Sequence, residues 1–139
     1  MIILDTNVVS VPSKPHRDER VLAWLNCQIP SSLFLTAINL AELSIGVSAL
    51  PEGRRKEALK LVFDDTLASF VTPILPFDRE AALAYAAVVV QAKANRYTLP
   101  VADGQIAAIA KVHGFAVATR DMRPFMAAGV RVINPWEDE

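Results

Sequence analysis

An α/β fold with a mainly parallel sheet is what three features of this sequence predict. Short apolar runs alternate with helical patterns along the chain, the order expected when each helix crosses back over a sheet. Five runs are strand candidates: Ile2–Leu4, Leu33–Thr36, Pro73–Leu75, Ala116–Thr119 and Arg131–Ile133. They are short and largely apolar on both parities, as strands covered by helices on both faces should be. The third feature is the punctuation between them, where helix caps and stops recur.

The helices follow in order. Asp18 caps a helix to about Asn26, with Val21, Leu22, Trp24 and Leu25 on its buried side. Thr36 caps a second from Ala37 to about Ala49, and Pro51, suited to a first turn, opens a third that runs to about Phe70. Asp78 starts a long alanine-rich helix to about Asn95. A fifth covers Ala102–His113 and stops at Gly114. A short sixth lies near Met122–Ala128, ahead of Gly129.

At 139 residues the chain is the size of one domain, taken as residues 1–139. A chain this long buries roughly two-thirds of its unfolded surface and folds without disulfides or structural metal. Its hydrophobic content of 53% and mean hydropathy of +0.30 are high, which points to a generous core, an apolar face for self-association, or both. The helix Asp78–Asn95, with Val88-Val89-Val90, is the candidate face. No apolar run is long enough to span a bilayer, and Met1–Asp5 lacks the basic region of a signal peptide, so a cytoplasmic protein is expected. Cys27 is the only cysteine, which suits a reducing compartment, and a buried or interfacial thiol is expected there. The net charge of −1 gives no global basic field for nucleic acid, leaving local patches or metal to provide one.

Of the fifteen acidic residues, four fall where a solvated face does not account for them. Asp5 follows the first strand at its carboxyl end, the edge where ligands bind in open α/β sheets; an Asx-turn or helix cap is the structural alternative. Glu42 sits beside Ile38, Ala41, Ile45 and Ala49 at helical spacing, and an acid against an apolar stripe needs a partner. Asp103 opens an otherwise alanine- and isoleucine-rich helix, where N-capping competes as an explanation. Asp121 lies just past the fourth strand, where it could equally be a turn residue paired with Arg120 or Arg123.

With strand one central and strands two and four beside it, Asp5, Glu42 and Asp121 emerge along one sheet edge, and Asp103 reaches that edge by helix packing. Crowded carboxylates raise one another's pKa and call for a cation. Oxygen-only ligands point to Mg²⁺, with Mn²⁺ as a substitute. Such an ion acidifies a bound water and neutralises charge on a phosphoryl group, so no protein nucleophile is required. Zinc is disfavoured, because one cysteine and two histidines show no ligand spacing.

Ile3-Leu4-Asp5-Thr6-Asn7, Ala41-Glu42-Leu43, Ala102-Asp103-Gly104 and Ala118-Thr119-Arg120-Asp121 resemble, in order and spacing, the four acidic motifs of the PIN domain. The likeness covers the whole chain and is closest to the VapC-type toxins of type II toxin–antitoxin modules. Those motifs and the terminal Asn134-Pro135-Trp136 suggest the FitB branch. The resemblance implies a PIN-like three-layer α/β/α fold with a five-stranded parallel sheet ordered 3-2-1-4-5, and a Mg²⁺-dependent endoribonuclease. It implies a cognate VapB/FitA-like antitoxin, a homodimer or dimer of dimers, and contact with DNA only through the antitoxin. Asp5, Glu42 and Asp103 carry over as metal ligands, and Thr119 matches a hydroxyl that helps hold a water or acid. Asp121 fits less closely, since relatives carry an acid just before the aromatic that follows this motif and here Pro124 precedes Phe125.

The remaining polar residues have plainer readings. Arg120 and Arg123 are candidates to bind substrate phosphate, whereas Arg54, Arg55 and Lys56 read as a solvated helix start. His16 lies in a proline-flanked loop and His113 at a helix end, where its charge suits the dipole. Trp24 and Trp136 read as packing anchors. Two rivals remain: a phosphoaspartyl enzyme such as a haloacid-dehalogenase-like phosphatase, which expects a second Asp where Asn7 stands, and a catalytically silent PIN fold that only binds a partner.

Overall fold

In the computed structural model, which describes residues 1–137, the first apolar run forms an inner strand. The strands are β1 (Ile2–Leu4), β2 (Leu33–Phe34), β3 (Ala116–Ala118) and β4 (Val132–Ile133), and the helices are α1 (Thr6–Val9), α2 (Glu19–Asn26), α3 (Ala37–Ser48), α4 (Arg54–Ser69), α5 (Arg79–Ala94), α6 (Val101–His113) and α7 (Arg123–Ala127). The sheet runs β2-β1-β3-β4 and every pairing is parallel, with Ile3 opposite both Phe34 and Val117, and Val117 opposite Val132.

Side chains alternate across a strand, and here each alternation fills a separate core. Ile3, Phe34 and Val117 face a cluster built with α5, α6 and α7, including Val88, Ile106, Ile109 and Phe125. Leu4, Leu35 and Ala118 face the opposite cluster, which holds Val8, Val9, Val11 and Val21 and against which Trp24, Leu67 and Trp136 pack. The sheet is therefore covered on both sides, as its apolar strands require. Both tryptophans are packing anchors.

The sheet has four strands where five were expected. Pro73–Leu75 contributes a single parallel bridge, Thr36 to Leu75. The Leu75 amide donates to the Leu35 carbonyl at 2.9 Å, and the Ala37 amide donates to the Leu75 carbonyl at 2.8 Å. Pairing ends there because Pro73 and Pro76 lack N–H donors and because the chain turns into α3 after Thr36. The bridge lies on the outer side of β2, the place the expected order assigned to that strand.

Local chemistry explains most helix ends. Asp18 and Asp78 accept amide hydrogens from the first turns of α2 and α5. Thr36 and Asn39 form a reciprocal capping box at α3, the Thr36 hydroxyl accepting from the Asn39 amide and the Asn39 side chain from the Thr36 amide, both at 3.1 Å. α6 ends at Gly114, whose φ of 69° is left-handed. α4 starts at Arg54 rather than at Pro51, because Gly53, at φ 147°, breaks the helical path. The four-residue helix α1 was not expected.

Two surface expectations also change. Cys27 is exposed on the chain, which overturns the buried reading and leaves the interfacial one. Val88 belongs to the core, and the exposed apolar residues of α5 are Leu83 and Val90, each about two-thirds accessible. Among the described residues no helix is long and apolar enough to cross a membrane.

Candidate metal centre

Asp5 leaves the carboxyl end of β1 and is buried. Its backbone amide donates to the Ala118 carbonyl at 2.9 Å, which fixes it between β1 and β3. Its side chain is the helix cap that the sequence offered as an alternative, and it is also tied to the end of β3. Oδ1 accepts from the Thr6 amide at 2.9 Å, capping α1, and Oδ2 accepts from the Thr119 hydroxyl at 2.8 Å. Burial raises its pKa, the Thr119 and Thr6 hydrogen bonds oppose that rise, and the nearby charge of Asp121 adds to it.

Thr119, fully buried after β3, joins several elements. Besides donating to Asp5, its hydroxyl accepts from the Asn7 side-chain amide at 3.3 Å and from the Asp121 amide at 3.1 Å. The second of these bonds folds the Thr119–Asp121 turn back on the strand end, so exposed Asp121 stays beside the cluster.

Glu42 is half-buried on α3, and its carboxylate accepts from the Thr6 hydroxyl at 2.9 Å. The apolar neighbours assigned to it do not surround it: Ile45 is about two-thirds exposed, and Ala41 and Ala49 are also exposed. Its partner is Thr6 on the facing turn.

Asp103 is not an N-cap. Pro100 holds that position in α6, so the Asp103 carboxylate is not engaged with its own helix start. Its pKa is pushed up to about 6, first by burial and then by the charges of Asp5, Asp121 and Glu42. The other three expected acids therefore all act on Asp103. Gly104 permits the approach of α6 to α5: a Cβ there would stand 2.8 Å from the Tyr85 ring and 3.1 Å from Leu99.

Oxygen is the only donor type at this edge, which is the set a hard divalent ion takes. Raised carboxyl pKa values are what an uncompensated cluster of such groups produces. Among the described residues no group of three or more acids, histidines or cysteines is placed closely enough to hold a metal ion as it stands.

Asn39 is a member of the site that sequence reasoning missed. It is fully buried, and its side-chain amide donates to Asp5 Oδ1 at 3.5 Å and to the Thr6 hydroxyl at 3.4 Å. The available signal was a polar residue three places after a threonine cap. Arg120 and Arg123 lie on aromatic rings, 5.2 Å from the Trp136 centroid and 4.9 Å from that of Tyr97. His113 is exposed and stacks near Phe115.

Known proteins are similar to this chain in sequence and fold. The sequence pattern of the PIN domain matches residues 2–129. The VapC ribonuclease Y4jK of Sinorhizobium fredii is 46% identical over 99% of both chains. Toxin FitB of Neisseria gonorrhoeae is also 46% identical, over 99% of this chain and 100% of that protein. The crystal structure of FitAcB from Neisseria gonorrhoeae superposes with a TM-score of 0.93 at 46% identity, covering 99% of both chains. FitAB bound to an IR36 DNA fragment gives 0.94 at 45% identity, covering 100% of this chain and 98% of that one. With its acids at the carboxyl edge of a parallel sheet and relatives this close over nearly its full length, the chain belongs to the PIN-domain family.

Proposed function

We propose that this chain is the toxin of a toxin–antitoxin pair and a metal-dependent endoribonuclease, with Asp5, Glu42, Asp103 and Asp121 holding Mg²⁺ at the sheet edge. The observation that carries the reading is the carboxyl edge of the sheet, where Thr119 holds Asp5 and Thr6 holds Glu42, close enough to Asp103 that, after burial, their charges and that of Asp121 raise its carboxyl to about 6. A divalent ion bound there supplies the Lewis acidity that RNA hydrolysis needs.

The chain's own residues set the geometry. Thr119 and the Thr6 amide fix one oxygen each of Asp5, leaving their remaining lone pairs to a cation. Thr6 orients Glu42, and α6 carries Asp103 to the same edge. Asp103, with its raised pKa, exchanges a proton near neutral pH when no cation is present.

Two further features support the partner assignments. A mostly apolar cleft of about 350 Å³ between α3 and α4, lined by Leu43, Val47, Leu59 and Phe63, opens beside Thr6 and Glu42. An antitoxin segment seated in it covers the site, in keeping with relatives solved as FitAB and VapBC complexes. Leu83 and Val90 on α5 supply an apolar face for a homodimer.

The test is cleavage of total tRNA or a loop-bearing transcript with Mg²⁺, with EDTA and Asp5→Ala as controls. Cutting that needs the divalent ion and disappears in Asp5→Ala is expected. Undiminished cutting by Asp5→Ala would sink the mechanism, and inertness of the parent toward every RNA would favour a binding-only protein.

A further inference from the structure

A second cavity, of about 460 Å³, adjoins the cleft beside Glu42, sharing Ser10 and Lys14 with it, and basic residues dominate its lining: Lys14, His16, Arg17 and Arg120, with Asn7 and Trp136. This concentration stands out in a chain of net charge −1. The one acid in the lining, Asp18, is already engaged. Its Oδ1 accepts from the Arg20 amide at 2.8 Å and lies 3.9 Å from the Arg20 guanidinium. Among the described residues, Lys14, Arg17 and Arg120 have no carboxylate within ion-pair distance.

The cavity is coupled to the acidic cluster through one side chain. Asn7 accepts from the Arg120 amide at 3.3 Å through Oδ1, and its Nδ2 donates at 3.3 Å to the Thr119 hydroxyl that holds Asp5. Arg120 lies over the Trp136 ring, and a stacked guanidinium keeps its in-plane N–H groups for a phosphate. Pro12 and Pro15 bracket Lys14 and limit the freedom that the loop would lose on binding.

We propose that this cavity is a phosphate subsite for the RNA strand next to the scissile bond, with Lys14, Arg17 and Arg120 on the backbone and His16 at the mouth. The inference rests on the RNA-cleaving reading. It assigns the strand a direction across the site, from the acidic edge past Asn7 into the basic cavity. His16, in the sequence only a residue of a proline-flanked loop, becomes part of the substrate path.

The experiment measures binding of a fluorescein-labelled single-stranded RNA of twelve nucleotides to the full chain in EDTA, at 50 and 200 mM KCl. The parent is compared with Lys14→Gln/Arg17→Gln, and cleavage kinetics with Mg²⁺ are recorded for both. Losing two phosphate contacts lowers the salt slope by about 1.4, so the parent's affinity should fall about sevenfold further than the variant's between those salts. KM should rise in the variant with kcat retained. Lys111→Gln/Arg131→Gln, which neutralises a basic pair in a cavity at the amino end of the strands, should keep the parent's slope.

A double variant with the parent's slope and KM, in a parent that cleaves RNA, overturns the subsite and leaves the ribonuclease reading standing. A parent that neither binds nor cleaves RNA overturns that reading and the subsite with it. Inorganic phosphate separates the sources. If it stabilises the parent and not the variant while their RNA slopes agree, the cavity holds a free anion only and the inference fails.

Discussion

Replacing Asp103 by asparagine keeps the shape of the side chain and removes one of four mutually repelling charges. In the folded chain the Asp103 carboxyl titrates at about 6 instead of 3.8. The folded state thus holds that proton more tightly than the unfolded state, and ionisation costs stability. The penalty is absent below about pH 3.8, accrues between there and about 6, and is complete above 6. Two pKa units correspond to about 3 kcal/mol. Asp103 is only half shielded from water, which reduces this to about 1.5 kcal/mol. In EDTA at pH 7.5, Asp103→Asn should therefore raise the melting temperature by about 5 °C, and at pH 4.5 the gain should shrink to about a third. Added Mg²⁺ should raise the melting temperature of the parent far more than that of the variant, and the variant should not cleave RNA. Thermal melts by circular dichroism across that pH range, with and without Mg²⁺, provide the measurement. A variant less stable than the parent at pH 7.5, or a gain independent of pH, would refute the claim that burial and the neighbouring acids penalise the ionised Asp103 carboxylate.

Other outcomes follow from single contacts. Thr119→Val removes the hydroxyl donated to buried Asp5 and should cost about 1–3 kcal/mol; it should also move Mg²⁺-induced stabilisation to higher pH, read by melts in a pH series. Gly104→Ala drives a methyl group into Tyr85 and should cost about 1–3 kcal/mol; because α6 carries Asp103, RNA cleavage should fall with melting temperature. Leu83→Asp/Val90→Asp should convert a sedimenting dimer to monomer at tens of micromolar with cleavage retained, and a parent that is already monomeric would return that face to solvent.

Legibility in the sequence followed the range of the interactions. Asp5 was readable as a strand-end acid able to cap a helix, and the caps at Asp18, Thr36 and Asp78 because each helix start is local; Thr119 was singled out by the resemblance alone. The pairing of Glu42 with Thr6 spans 36 positions and leaves no periodic trace, so apolar neighbours were assigned to Glu42 instead. N-capping remained a rival explanation for Asp103 because only tertiary packing shows that its carboxylate lies near the other acids. Prolines flanking Ile74–Leu75 were visible, but their effect depends on how soon β2 turns into α3. The Lys14–Arg17 loop has no pattern at all; its meaning comes from Arg120, more than a hundred residues away.

Asn39 ties the first turn of α3 to the floor of the acidic site, so damage there cannot be confined to either. Loss-of-function changes should consequently divide into two kinds in a living cell. Silencing Asp103 leaves a folded protein in undiminished amount. Breaking the Thr36–Asn39 unit lowers abundance along with activity. A screen that rewards only survival would collect both kinds together, whereas one that also demands folded protein able to occupy its partner would retain only the first.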